Sequence, residues 1–567
     1  MSSRRRSSLT HSLRYSGGVN SLDRFASSYT RAQSFLSIDT STLRQTLASY
    51  RLLPQDDGAV DDSDSLLFAP ETSDDEAWLS PPRPGFSGPL RNSPGNYAAL
   101  GAARADRADK PVPTVAAVAT NADERLAGGT ALAVDEASGS VLVVPGRSTA
   151  PQTVFNSVNV LVGIGLLSLP LAFAYAGWAI GTLFIVAAAL TTLYTAKVLA
   201  RCLDTDETLV TYADIAFAAY GQRARVATSV LFSIELIGAC VALVVLFADS
   251  LHALYPAIDN DVYKAGAFFV LAPLMFLPLS VLSFTSVLGI LSTFGLVVIV
   301  FVDGLIKRDQ PGSLWQPMET HALPTNWMAL PLSFGLLMSP WCGHSVFPNV
   351  YRDMRHPYKF NRCLNLTYTF TFLVDLSMAL LGLVMFGNLV SDEITENILQ
   401  TAGYPRALSY ATVVMIAIIP LSKTPLNARP IISTLEALLG VDKVVPREPL
   451  AKQAATVGPR AAIAHWYASY RADIVRALVR VSVTFVIVVI AILFPAFDRI
   501  MAFVGSGLGF TICITLPMIY YLKIFAGTGR ISRAERSGAF VLITISVILA
   551  VLGTIWSLLP SRVIFGY

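Results

Sequence analysis

Residues 152–170 read QTVFNSVNVLVGIGLLSLP, the start of a hydrophobic run long enough to cross a bilayer. The run contains two Asn residues, a Gly-x-Gly and a Pro, none of which an anchoring helix needs. Gly and Pro weaken a helix, and the backbone groups that they release must find partners where there is no water. Such breaks are tolerated where they line a cavity. The stretch therefore predicts a broken helix inside a helical bundle.

The composition places that helix in a membrane. Of 567 residues, 53% are hydrophobic and only 14% are charged, whereas soluble domains carry about 25% charged residues. We therefore predict an all-α polytopic membrane protein and not a soluble enzyme. The net charge of +3 is too small to suggest a nucleic-acid partner. The five cysteines lie in or beside hydrophobic runs, which argues against a disulfide framework, and no metal or cofactor pattern is predicted.

The first part of the chain has a different character. Residues 1–150 are rich in Ser, Ala, Arg and Asp without sustained periodicity, which predicts a disordered cytosolic tail before a transmembrane domain at 151–562. Arg4 to Arg6 precede Ser7 and Ser8, a pattern that suits a basophilic kinase because a phosphoserine would lie beside arginines. A solvated basic start explains the same residues without any modification, and it is the simpler interpretation.

Eleven hydrophobic runs follow the tail, each of about 18–25 residues. Basic residues concentrate in the loops on the side of the N-terminus, so the positive-inside rule predicts a cytosolic N-terminus and, with an odd number of spans, a C-terminus on the far side. The predicted spans are about 153–176, 178–200, 226–250, 263–280, 283–306, 326–349, 364–387, 408–428, 477–496, 499–522 and 538–559.

The first span combines polar residues with a point of weakness. Asn156, Asn159 and Gly163 are spaced by three and four residues and share one helical face. Amides are costly against lipid, so this face is predicted to point into the bundle, where the amides either bind a neighbouring helix or contact a substrate. Unwinding around Gly163, Ile164 and Gly165 would expose N–H groups that favour an anion such as an amino-acid carboxylate.

The sixth span repeats the arrangement, since residues 332–348 read LSFGLLMSPWCGHSVFP. In both spans a Gly precedes a Pro by five residues, at Gly165 and again at Gly343. Interrupted helices five spans apart and opposite in direction indicate an inverted repeat. Carbonyl groups between Ser339 and Gly343 are predicted to meet an ammonium group, and Trp341 either lines the pocket or packs in the core.

Charged and titratable residues inside the spans are candidates for moving a proton. Glu235 lies in the middle of the third span, where a carboxyl group indicates function unless it is a neutral structural group. His344 lies within the second break and could relay protons, although hydrogen bonding to the unwound backbone is the favoured role. Asp303 and Asp375 are weaker candidates, and Lys423 is expected to snorkel or to help close the inner gate.

Several of these motifs together resemble a known family. They are residues 153–167 with Pro170, the YAGW sequence at 175–178, and GHSVFP at 343–348 followed by Tyr351, Met354 and residues 356–360; residues 235–240 fit as well. Over about residues 152–560 the chain resembles the amino acid/auxin permease family, and within it the first subgroup of fungal vacuolar amino acid transporters.

The resemblance implies a fold similar to that of the amino acid–polyamine–organocation transporters, with two inverted repeats of five helices plus an eleventh helix. It implies proton-coupled movement of neutral amino acids into the vacuole in exchange for protons, with the proton gradient as driving force and no enzymatic activity. An exporter, a plasma-membrane permease and an amino-acid sensor that signals through the tail remain alternatives. The predicted substrate-binding residues are Asn156, Asn159, Gly163, Ile164, Gly165, Ser339, Trp341 and Gly343.

Overall fold

The computed structural model describes residues 129–134, 141–206, 209–277, 279–439, 441 and 459–565. Ser7 and Ser8 lie outside the described residues, as does most of the tail, and the kinase site there stays a prediction. Two strands, β1 Gly129–Val134 and β2 Val141–Pro145, form an antiparallel hairpin in which Gly129 lies opposite Pro145. This hairpin lies at the end of the predicted tail, where runs of five or six residues are too short for a periodicity search to detect, and the largely disordered tail stays a prediction.

The rest of the described chain is helical. Short 3₁₀ helices lie at Ile164–Ser168, Ser339–Trp341, Pro357–Lys359 and Gly387–Leu389, and π-helical turns at Val504–Gly509 and Thr511–Thr515. The α-helices are α1 Ala150–Leu161, α2 Leu169–Leu203, α3 Tyr212–Tyr220, α4 Gln222–Leu254, α5 Asn260–Leu274, α6 Leu279–Ile306, α7 Leu330–Met338, α8 Phe347–Arg352, α9 Phe360–Phe386, α10 Ile394–Gln400, α11 Arg406–Leu438, α12 Pro459–Leu493, α13 Phe497–Phe503, α14 Leu516–Ile524, α15 Arg533–Leu558 and α16 Ser561–Phe565.

Eight helical segments among the described residues are long and apolar enough to cross a membrane. The eleven predicted spans differ from these segments for local reasons. The first two are joined in α2 across a kink at Gly177, whose φ of 72° lies in the left-handed region that favours glycine. The fourth, α5, has 15 residues, and the sixth is divided between α7 and α8. A polytopic helical bundle is confirmed, while eleven crossings and the inverted repeat stay predictions.

The segment before α1 is tied to the segment after α8. The backbone N–H groups of Arg147 and Ser148 donate to the Asp353 carbonyl over 2.9 and 2.7 Å, and the N–H of Arg355 donates to the Ser148 carbonyl over 2.9 Å. The Ser148 hydroxyl also donates to the Asp353 carboxylate. These bonds hold the N-terminal end of α1 beside the C-terminal end of α8. They therefore constrain the positions of the opposite ends of both helices.

A second contact seats α7 against the helix that follows α12. Gly335 of α7 and Gly505 of the π-helical turn approach so closely that an added methyl group on Gly505 would overlap the Gly335 carbonyl. A methyl group on Gly335 would likewise overlap the Ala502 carbonyl. Small residues allow helix backbones to touch in a membrane, and here they hold the start of the sixth span in place.

Candidate functional site

The first helix breaks where the Gly-x-Gly predicted that it would. α1 ends at Leu161, Val162 and Gly163 are extended, and a 3₁₀ helix begins at Ile164. The first N–H groups of a helix have no partner within it. Among the described residues no backbone carbonyl accepts a hydrogen bond from the N–H of Gly163, Ile164 or Gly165. This break therefore presents donors to its surroundings.

The second break lies between α7 and α8. After the 3₁₀ turn at Ser339–Trp341 the chain makes a tight turn at Cys342, whose φ of −77° and ψ of 79° are neither helical nor extended. The carbonyl of Trp341 accepts from the Gly343 N–H over 3.0 Å. Within the described part of the chain no backbone N–H reaches the carbonyls of Pro340 or Cys342. This break therefore presents acceptors.

The two breaks touch each other. A methyl group added to Gly165 would lie 2.7 Å from the Ser339 hydroxyl oxygen and 3.1 Å from the Pro340 nitrogen. A methyl group added to Gly343 would lie 2.9 Å from side-chain carbons of both Val160 and Leu161. The structure thus brings together two breaks that are far apart in sequence, with Gly165 against Ser339 and Pro340 and Gly343 against Val160 and Leu161.

The two asparagines of α1 are both buried. The side-chain amide of Asn159 donates to the Ser286 hydroxyl on α6 over 3.1 Å, which is the contact between helices that the sequence left open as an alternative to substrate binding. Its side-chain oxygen has no hydrogen-bond partner among the described residues. Asn159 therefore keeps one acceptor available while its donor holds α6.

The side chains of the second break make contacts within the protein interior. The Ser339 hydroxyl donates back to the Leu336 carbonyl over 2.9 Å. Trp341 is fully buried and stacks on Tyr368, with ring centroids 5.5 Å apart and planes 13° apart. Ile164 is buried opposite in the first break. Trp341 and Ile164 thus pack in the core, while the indole N–H of Trp341 has no hydrogen-bond partner among the described residues; a part of either residue in substrate binding stays a prediction.

His344 connects the second break to α2. Its Nε2 lies 2.9 Å from the Thr195 hydroxyl and 3.1 Å from the Thr192 carbonyl. A carbonyl can only accept, so Nε2 carries the hydrogen in this arrangement. His344 Nδ1 makes no hydrogen bond with a described residue. The histidine thus binds the regular helix α2 and not the unwound backbone to which the favoured interpretation assigned its hydrogen bond.

Glu235 lies in the interior on α4, with 5% of its surface exposed. Ser345, the neighbour of His344, lies close enough to interact with the carboxyl group, although neither oxygen makes a hydrogen bond within 3.5 Å among the described residues. Asp303 and Asp375 are also buried without hydrogen bonds in the described part. Of these three carboxyl groups, Glu235 is the one near Ser345 at the second break.

Lys423 on α11, for which the sequence predicts either snorkelling or a part in closing the inner gate, reaches the end of α1. Its ammonium group donates to the Val162 carbonyl over 2.5 Å and to the Asn159 carbonyl over 3.3 Å. Snorkelling toward the membrane surface is therefore wrong, because the half-buried side chain points to the end of α1. The only sequence signal was a lysine between Pro420 and Pro425 inside a hydrophobic span.

Among the described residues, no group of three or more His, Cys, Asp and Glu could hold a metal ion.

A separate acidic region lies outside the membrane spans, between α9 and α11. Burial, with the neighbouring carboxyl groups of Asp498 and Glu396, raises the pKa of Asp392 to about 8. Burial and the nearby Asp249 carboxylate raise the pKa of Glu393 well above its ordinary range. Both groups therefore bind a proton more readily in the folded protein than in the unfolded chain.

This region predicts that the protein is more stable in acid. A carboxyl group whose pKa is higher in the folded protein than in the unfolded chain stabilises the folded state. This contribution is complete when the pH is below the pKa of the unfolded chain, and it is lost as the pH rises toward the pKa of the folded protein. For Asp392 the loss falls between pH about 4 and about 8, with a slope of at most about 1.4 kcal/mol per pH unit. Unfolding temperature measured from pH 5 to 8 should fall, and Asp392→Asn should flatten the decline. An Asp309→Asn variant in an exposed loop serves as control, and an unchanged slope in Asp392→Asn would contradict the assignment.

Comparisons with known proteins show which family the sequence resembles. The sequence model of one family, described as transmembrane amino acid transporter protein, matches residues 146–559. Amino acid transporter AVT1D of Arabidopsis thaliana is 28% identical over 422 residues, which cover 72% of this chain and 70% of the relative. Amino acid transporter AVT1I of the same plant is 28% identical over 425 residues, covering 72% of this chain and 94% of the relative.

More distant similarities extend to other transporters. Sodium-coupled neutral amino acid symporter 2 of Danio rerio is 22% identical over 412 residues, covering 67% of this chain and 76% of the symporter. Among solved structures, a Na⁺-coupled sialic acid symporter in a substrate-bound outward-open state has 16% identity and a TM-score of 0.45, covering 73% of this chain and 88% of that one.

Proposed function

The chain belongs to the transmembrane amino acid transporter family, and on that premise we propose that it is a proton-coupled secondary transporter that carries neutral amino acids into the vacuole in exchange for protons. The observation that carries the proposal is the contact between two broken helices, one with free N–H groups and the other with free carbonyls. A cytosolic N-terminus, a lumenal C-terminus, eleven spans and an inverted repeat belong to the same proposal.

The proposed ligand is the zwitterionic part of an amino acid. Its carboxylate meets the N–H groups of Gly163 to Gly165, where the start of the half-helix favours negative charge. Its ammonium group meets the carbonyls of Pro340 and Cys342, and the free oxygen of Asn159 is a further acceptor on the side of α1. Backbone groups recognise what all amino acids share, so this arrangement sets the substrate class and leaves selectivity among side chains to the surrounding pocket.

The proposal gives the proton to Glu235, with His344 Nδ1 as the second candidate. Burying a charged carboxylate without a partner is costly. Glu235 would therefore be deprotonated only between the release of one proton and the binding of the next. One proton moving down its gradient supplies about 1.4 kcal/mol per pH unit and about 2.3 kcal/mol per 100 mV. A gradient of two units is therefore sufficient for roughly a hundredfold accumulation of amino acid.

The proposal is tested with the purified full chain in proteoliposomes. An acid lumen is imposed, and uptake of a panel of labelled neutral amino acids is followed with and without a protonophore. We expect accumulation that depends on the gradient and is lost with the protonophore. Failure of every neutral amino acid to move would leave the sensor alternative. Efflux driven by the same gradient would indicate an exporter, and uptake driven by sodium alone would overturn the proton coupling.

A further inference from the structure

The lysine at the first helix break has a role that the proposed function does not use. We propose that the Lys423 ammonium group is a built-in cation, bound to the end of α1 where a free monovalent cation would otherwise bind, and that it determines which ions the transporter responds to. This inference rests on the proposed function in so far as it concerns transport.

The end of α1 is a site of negative character. The last carbonyl groups of a helix have no partner within it, and the helix dipole places partial negative charge there. The carbonyl of Asn159, in the last turn of α1, and that of Val162, the residue that follows α1, accept hydrogen bonds from Lys423 Nζ at 3.3 and 2.5 Å. Unwound carbonyls at the ends of half-helices are the groups with which transporters bind their coupling ions.

The path of the lysine side chain is also built for this position. α11 packs on α6, and Gly289 of α6 lies beside Ser422 and the outer part of the lysine side chain: a methyl group there would be 2.5 Å from the Ser422 hydroxyl oxygen and 3.9 Å from Lys423 Cε. A larger residue at this place would press on the side chains of Ser422 and Lys423. The stem therefore passes over a glycine to reach a helix end that lies 261 positions away in the sequence.

The Lys423 ammonium group binds backbone carbonyls at the end of α1 and not a carboxylate. In the described ranges no Asp or Glu oxygen lies within 4.0 Å of Lys423 Nζ. An ion pair would make the lysine an ordinary structural salt bridge, whereas two backbone oxygens are the ligands that a small free cation takes. The lysine thus supplies the charge of such a cation while remaining attached to α11.

Two consequences follow. With its cation attached, the wild-type protein has no need of sodium or potassium at this position. If the lysine is shortened to a neutral residue, the carbonyls of Asn159 and Val162 are left without their donor, and a free alkali cation can enter the vacated volume. The Lys423→Ala variant should then respond to alkali cations to which the wild type is indifferent.

The test compares four variants of the full chain, purified and placed in proteoliposomes: Lys423→Ala, Lys423→Met, Lys423→Arg and Lys307→Met. The last is a matched control, because Lys307 Nζ also donates to a backbone carbonyl, that of Ala402 at 2.9 Å, away from either break. Exchange of labelled for unlabelled neutral amino acid and the unfolding temperature are measured in sodium, potassium and choline chloride.

We expect the wild type and Lys307→Met to give equal values in all three salts. Lys423→Ala should lose at least tenfold of its exchange in choline chloride and regain at least threefold in one alkali salt, with a matching rise in unfolding temperature. An alkali response in the wild type, unchanged exchange in Lys423→Ala, or a loss that no alkali salt reverses would each overturn the inference.

Two further readouts keep the test decisive. If Lys423→Ala does not fold, Lys423→Arg should keep exchange and Lys423→Met should lose it, since only arginine retains a charge; equal behaviour of the two would overturn the inference. If the wild type moves no neutral amino acid, the proposed function fails by itself. The salt dependence of the unfolding temperature still decides the role of Lys423, because it requires no transport.

Discussion

Gly165→Ala should reduce amino-acid exchange at least tenfold, and Gly165→Val should abolish it. The methyl group of alanine would lie 2.7 Å from the Ser339 hydroxyl oxygen and 3.1 Å from the Pro340 nitrogen. The hydroxyl cannot easily turn aside, since it is buried and bonded to the Leu336 carbonyl, and the nitrogen is backbone. Overpacking of this kind costs about 1–3 kcal/mol, and it would push apart the two breaks that form the proposed site.

The measurement is exchange in proteoliposomes beside the unfolding temperature of each variant. Gly266→Ala is the matched control, because a methyl group at that helical glycine of α5 meets nothing within 4 Å. Gly163→Ala adds a second comparison: its methyl group would have no neighbour closer than 3.8 Å, so the unfolding temperature should stay unchanged whatever happens to substrate affinity. Wild-type exchange in Gly165→Ala would show that contact between the breaks is not required.

The breaks themselves were readable from the sequence because their causes are local. A glycine or proline acts on its own turn of helix, so Gly163 to Gly165 and Pro340 to Gly343 mark the interruptions without knowledge of the fold. Long apolar runs likewise predict most of the helices. Hydropathy could not predict the short α5 or the kink at Gly177, because it depends on length and composition and does not indicate where the chain turns.

What the sequence did not reveal depends on which helices pack together. The sequence places Lys423 near the end of a span, and only the folded chain shows that its ammonium group binds the carbonyls of Val162 and Asn159. The same applies to His344, whose partners Thr192 and Thr195 lie about 150 positions earlier in α2. Contacts between distant segments leave no periodic trace in a single sequence, so the geometry of the candidate site had to come from the structure.

Glu235→Gln should reduce gradient-driven uptake at least tenfold and flatten its pH dependence, while exchange of amino acid stays within about twofold of wild type. Glutamine has the shape of the protonated acid but cannot release a proton. Glu235 is 5% exposed, and in the described part of the chain no basic side chain lies within 4.0 Å of its oxygens. Because the neutral form of this side chain is compatible with the fold, we expect the substitution to leave folding unchanged and to remove proton coupling.

Asp375→Asn is the matched control for this prediction. Asp375 is fully buried on α9, and its oxygens also lack hydrogen bonds among the described residues, but no interaction with either break is described for it. If burial of an acid were sufficient for coupling, both variants would lose gradient-driven uptake equally. If position beside the second break decides, Glu235→Gln alone will uncouple transport, because Glu235 lies near Ser345, the neighbour of His344. Unchanged pH dependence in Glu235→Gln would remove it from the proton path, and loss confined to Asp375→Asn would move that path to α9.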